Sequence, residues 1–210
     1  MGAIDGTLTY KLFFTEGDRP PRWKERFVKH VERNSFEELT PQDEEEESLG
    51  WVKVDRPLQT DIGLHDMLWN NYLNLSLRHD RYVIPSALAD AHFEEARREY
   101  LLDNDKDELS KFEKQDIEEM VNRRLKEKQL PRMRIIDMCW DMNSGRVRFW
   151  SQSNKMCERF QQIFRDTFEM KLLPGSPYIN GVRLGLDPEE VEVLQQVQPT
   201  NFIGRTIEDS

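Results

Sequence analysis

Residues 7–15 (TLTYKLFFT) alternate, with Leu8, Tyr10, Leu12 and Phe14 on one side and Thr7, Thr9 and Lys11 on the other. A two-residue period of this kind predicts a half-buried strand. Behind Pro20-Pro21, a helix-start signal, Trp23, Phe27 and Val31 recur every four residues among Arg22, Lys24, Arg26, Lys29 and Arg33. That spacing predicts an amphipathic helix with a basic outer face. LGWVKV (49–54) reads as a short strand and HDMLWNN (65–71) as a helical turn, while residues 72–84 alternate again through Leu73, Leu75 and Leu77 until Pro85 ends the pattern.

Pro85-Ser86 opens a helix carried by Leu88, Ala91, Phe93, Ala96 and Tyr100. After the polar break DNDKDE, a second helix from Ser110 places Phe112, Ile117, Met120, Val121 and Leu125 near one face, so residues 86–129 form a long helical pair. RMRIIDMCW, the turn residues DMNSG and RVRFWS then predict a β-hairpin over 132–151. Ser153 caps a further helix whose stripe is Met156, Phe160, Ile163, Phe164 and Thr167. The expected fold is α+β: an antiparallel sheet with strands near 7–15, 49–54, 72–84 and 132–151, packed with several helices. One domain should span 1–174, followed by an acidic tail, 175–210, with one short helix in DPEEVEVLQQV.

Charge refines this picture. The 210 residues carry 30 Lys and Arg against 40 Asp and Glu, a formal net charge of -10. Residues 37–48 hold seven acids and no base, and residues 175–210 hold six acids against Arg183 and Arg205. Setting both segments aside leaves 27 acids and 28 bases. The acidity is therefore regional, and a local basic patch remains free to meet nucleic acid.

The chemistry-bearing residues exclude several classes. No apolar run approaches the roughly 18 residues of a spanning helix, and the N-terminus lacks the features of a signal peptide, so a soluble cytoplasmic protein without a membrane partner is expected. Cys139 and Cys157 are expected as reduced, buried thiols. His30, His65, His79 and His92 stand at no metal-ligand spacing, and no phosphate-binding glycine loop or nucleophile elbow occurs, so neither metal nor cofactor is expected. Asp137 and Asp141 could serve as a nuclease's carboxylates, but Asp141 is more simply a turn residue, and no enzymatic activity is expected.

What stands out is NRRLKEKQLPRMR (122–134), where Arg123, Arg124, Lys126, Lys128, Arg132 and Arg134 face only Glu127 in charge. Bases at the end of a helix complement its dipole, which accounts for the first four. Arg132 and Arg134 lie beyond Pro131, outside that explanation; they share a strand face with Ile136, Met138 and Trp140, while Arg146 and Arg148 lie opposite Val147 and Phe149. These strand arginines fit phosphate contact and protection of an exposed sheet edge equally well.

The order of segments resembles the RdgC family of bacterial recombination-associated proteins. The resemblance covers about Leu8 to Pro174 and is carried by GTLTYKLF, ESLGWVKV, LSLRHDRYVIPSAL, KFEKQDIEEMVNRRLKEKQLPRMR, IIDMCWDMNSGRVRFWSQSNKMCERF and KLLP. It implies a non-catalytic homodimer that binds double-stranded DNA without sequence preference, sits with the nucleoid and restrains RecA-promoted strand exchange. It also implies that Arg123, Arg124, Lys126, Lys128 and Arg132 lie on or near the DNA-facing side. Arg134 departs from the family, which has an aromatic at this position in a dimer contact. The alternative expectation is an interaction or inhibitor module whose acidic surfaces bind a recombinase or nuclease.

Overall fold

The computed structural model describes residues 9–43 and 45–197; the expected strand positions Thr7 and Leu8, and the tail from residue 198 onward, lie outside the described residues. Seven strands form one sheet: β1 (Lys11–Glu16), β2 (Glu47–Val52), β3 (Leu68–Trp69), β4 (Tyr72–Arg81), β5 (Arg132–Asp141), β6 (Arg146–Phe149) and β7 (Lys171–Pro174). Their order is β2-β4-β5-β6-β1-β7, with β3 beside β4 and every pair antiparallel. Seven helices accompany them among the described residues: α1 (Trp23–Arg33), α2 (Leu64–Met67), α3 (Ser86–Asp103), α4 (Lys111–Glu127), α5 (Asn154–Phe168), α6 (Pro177–Leu184) and α7 (Pro188–Gln196). The α+β class and the antiparallel sheet are as expected.

One sheet face carries the main core. Leu73, Leu75 and Leu77 of β4 stand beside Trp140, Met138 and Ile136 of β5, all but shielded from water. Phe27 and Val31 of α1 and Phe160, Phe164 and Phe168 of α5 close over them. Phe160 lies flat on Phe149, with ring centroids 4.0 Å apart, and meets Phe13 edge-on. Each such ring contributes about 1.5–3 kcal/mol of burial. The Nε1 of Trp51 donates to Thr167 Oγ1 at 2.9 Å, tying β2 to α5.

Local signals explain most element ends. Ser110 and Ser153 accept hydrogen bonds from the backbone N–H of Glu113 and Met156, which starts α4 and α5. In the β5–β6 turn, Asp141 accepts from the N–H groups of Asn143 and Ser144, and Gly145 takes φ 69°. Asn34–Phe36 crosses so close to β2 that a Cβ on Gly50 would sit 2.4 Å from Phe36 Cα. Only glycine fits there.

Several expectations need correction. Strand pairing shifts β1 to 11–16, β2 to 47–52 and the end of β4 to Arg81. In β1 it is Phe13, not the Tyr10–Leu12–Phe14 side, that enters the main core; Phe14 is buried on the other face, beneath the Arg183 guanidinium of α6. Both faces of this strand are covered, so the alternation did not reveal which one the core would take. Phe112 is 79% exposed and lies outside the α3–α4 cluster, which is built from Ile117, Val121 and Leu125 against Ala96. This helical pair has a small apolar cluster of its own. Residues 171–197 hold a strand, β7, and two helices where one helix was expected. β7 is too short to show a period, and α6 is pinned by tertiary contacts, with Arg183 donating to Ser144 O at 2.6 Å.

Candidate functional site

Along β4 and β5 the core face changes character. Past Leu77 and Ile136, the next positions on the same face are His79 opposite Arg134 and then Arg81 opposite Arg132. The register of β2 adds Glu47 opposite Arg81. The apolar floor thus becomes a cationic one at one end of the sheet. The first turn and a half of α5 overhangs it, and together they line a cleft of about 420 Å³ with Ser153, Lys155, Met156 and Arg159.

The single acid in this cleft is already engaged. Glu47 pairs with the Arg159 guanidinium and its Oε2 lies 2.9 Å from His79 Nε2. The Arg159 hydrogen bond holds the Glu47 carboxyl down at about 2, with His79 adding to it against the cost of burial. Arg81, Arg132, Arg134 and Lys155 have no ion pair or side-chain hydrogen bond among the described residues, and all four are exposed. Like charges placed directly opposite one another on paired strands are destabilising. Among the described residues the one acid beside the Arg81–Arg132 pair is Glu47, opposite Arg81, and its carboxylate is engaged by Arg159 and His79.

The eight sequence-predicted residues do not form one surface. Arg132 and Arg134 enter the cleft. Arg123 and Lys126 line a larger groove of about 950 Å³ between α4 and residues 81–84. Arg81 borders both cavities and joins them. Lys126 Nζ donates to the backbone carbonyl of Asp43 at 3.4 Å and sits over the Tyr82 ring. Asp43, Glu46 and Glu119 share that groove, so its charge is mixed.

Arg124 and Lys128 turn instead toward α3, lining a hollow with His92, Glu95 and Glu99. Arg146 and Arg148 lie on the opposite face of the sheet, with Arg148 opposite Cys139 and over the Tyr10 ring. Edge protection does not explain these two, since β6 is paired on both sides. It remains geometrically available to Arg132 and Arg134, because β6 pairs only with residues 138–141 of β5.

Sequence reasoning missed Arg81, Lys155, Arg159, His79 and Glu47. A signal was present for four of them: the same alternation that aligns Leu73, Leu75 and Leu77 continues to His79 and Arg81. Lys155 and Arg159 stand four apart on α5, a spacing that places them on one helix face.

Elsewhere the reactive groups are accounted for. Ser76 donates to Asp137 Oδ1 at 2.6 Å, and Asp141 is held below the ordinary carboxylate range by the Ser144 hydroxyl and turn N–H groups. Burial raises both thiols, Cys139 and Cys157, which are unpaired with each other. Among the described residues no group of three or more His, Cys, Asp or Glu is placed to hold a metal, and no helix is long and apolar enough to cross a membrane. No protein-family model matches the chain, and no curated protein matches it. The class defined by fold and site is an α+β protein on a single antiparallel sheet, with a cationic cleft where its core ends.

Proposed function

We propose that this protein binds double-stranded DNA through its phosphate backbone, without sequence preference and without catalysing a reaction. The observation that carries the reading is the set of cations Arg81, Arg132, Arg134 and Lys155, unpaired among the described residues and continuous through Arg81 with Arg123. Flexible, exposed Lys and Arg with no internal partner supply charge to phosphate and carry little base information. The resemblance of the segment order to the RdgC family supports the same reading and extends it. On that ground the protein acts as a homodimer associated with the nucleoid, and it restrains RecA-type recombination by occupying the duplex.

Fluorescence anisotropy with a labelled random-sequence duplex across a salt series tests this. Four neutralised phosphates give a slope of log affinity against log salt of about -3.6. Arg132→Glu with Arg134→Glu should reduce the affinity sharply, while Arg146→Glu, on the other sheet face, should change it little. An unchanged salt slope in the double variant would overturn the assignment.

A second reading rests on the mixed charge of the larger groove. Asp43 and Glu46, together with Glu119 on the same helix as Arg123 and Lys126, suit a protein segment of alternating charge better than a polyanion. A recombinase or nuclease held there should remain bound in nuclease-treated extract; release on DNA digestion would refute it.

A further inference from the structure

The geometry points to a second role for the smaller cleft: we propose that it is a binding site for a phosphate monoester dianion. The proposal rests on the cleft's cations and does not require the duplex-binding reading.

Three observations carry it. First, the cleft is concave, with a two-strand floor and a helix overhang, whereas a duplex presents a convex row of phosphodiesters with one charge each. The exposed side chains of Arg81, Arg132, Arg134 and Lys155 can meet an internal phosphodiester from outside, but a terminal phosphate can also enter the cleft end-on. Second, Arg81, Arg132, Arg134, Lys155 and Arg159 against the single Glu47 leave a formal charge of +4 with His79 neutral. That is more positive charge than one phosphodiester balances, and it is concentrated in about 420 Å³. Third, Arg81 stands opposite Arg132, a like-charge pairing whose one neighbouring acid, Glu47 across from Arg81, is engaged by Arg159 and His79, and a bound anion would relieve it. Planar guanidinium forks on neighbouring strands offer paired donors to phosphate oxygens.

Glu47 has a defined part in this arrangement. By pairing with Arg159 and His79 it fixes the wall of the cleft, while Arg81, Arg132 and Arg134 on the floor have no ion pair among the described residues. The first turn of α5, which supplies Ser153 and Lys155, adds the positive end of a 15-residue helix. The same chemistry exists at the 5′ end of a nucleic-acid strand and on a free nucleotide or inorganic phosphate, and the test separates these sources.

Three duplexes of one sequence are compared by anisotropy: one closed by loops at both ends, one open with 5′-hydroxyls and one open with 5′-phosphates. Inorganic phosphate and a nucleoside 5′-monophosphate serve as competitors and as additives in thermal melts. The closed duplex reports the backbone binding proposed above, and the contrast between the open duplexes reports the cleft. A 5′-phosphate preference of about tenfold, lost in Arg81→Gln with Arg132→Gln, assigns a strand end. Melting raised by the monophosphate or by inorganic phosphate in the parent chain but not in that variant, without a 5′-phosphate preference, assigns a free phosphate. The variant's own melting temperature should be equal or higher, since it removes a like-charge pair, so loss of binding cannot be ascribed to unfolding. Equal affinity for both open duplexes, with no phosphate effect on melting, overturns the proposal even if the closed duplex binds.

Discussion

Neutralising the one acid in the cleft should strengthen binding while weakening the fold. In Glu47→Gln the Arg159 guanidinium loses its anionic partner and the formal charge of the cleft rises from +4 to +5, with His79 neutral. The carboxylate that is lost was stabilised enough to hold its pKa at about 2, but 37% of the side chain is exposed, so solvent screening limits the cost to the fold to roughly 1 kcal/mol. On the binding side, one released guanidinium adds about one phosphate contact. The salt slope should steepen by about 0.9. A partly exposed charge-assisted bond of about 1 kcal/mol corresponds to an affinity gain of roughly fivefold. Anisotropy in a salt series and urea denaturation on the same preparation read both effects. If stability falls as expected while affinity and salt slope stay unchanged, the cleft does not face phosphate and the reasoning fails.

Other outcomes follow from the core and from titration. Phe160→Ala removes a ring packed on Phe149, Phe13 and Phe164 and should cost about 3–5 kcal/mol in urea denaturation; less than about 2 would mean that the α5 contact is not the centre of the core. Gly50→Ala forces the Asn34–Phe36 backbone away from β2 and should cost about 1–3 kcal/mol by the same measurement, with a neutral result refuting the close approach. Glu47 and Glu113 are both held at about 2, the first by Arg159 and the second by Lys106 and the Ser110 cap. Because their folded values lie below the unfolded ones, their stabilisation is complete above about pH 4.5 and disappears as pH falls toward about 2. Urea midpoints that do not decline through that window would contradict these pairings.

The helices were the most legible part of the chain. The Ser110 cap with Glu113, and the Ser153 cap, are signals spanning three residues, and α4 and α5 begin where those signals stand. The β5–β6 hairpin was equally clear, because its turn residues lie between its strands. Phe112 shows the limit of such reasoning: its place near the apolar stripe of α4 suggested burial, yet it is outside the α3–α4 cluster and stays in water.

The candidate site was only half visible. The excess of cations in 122–134 is a property of composition, and it drew attention to Arg132 and Arg134 while grouping them with Arg124 and Lys128, which face another way. Alternation along β4 and β5 establishes which residues share a face, since side chains alternate strictly in any extended chain. It does not say which strand lies alongside, in what register, or what covers the face. Those depend on the register that sets Arg81 opposite Arg132 and on α5 packing across the same face with Lys155 and Arg159. Local chemistry along the chain thus determined the elements and the supply of charge. Contacts between residues distant in sequence decided which charges meet, because only the packed sheet and helix bring their side chains to one cleft.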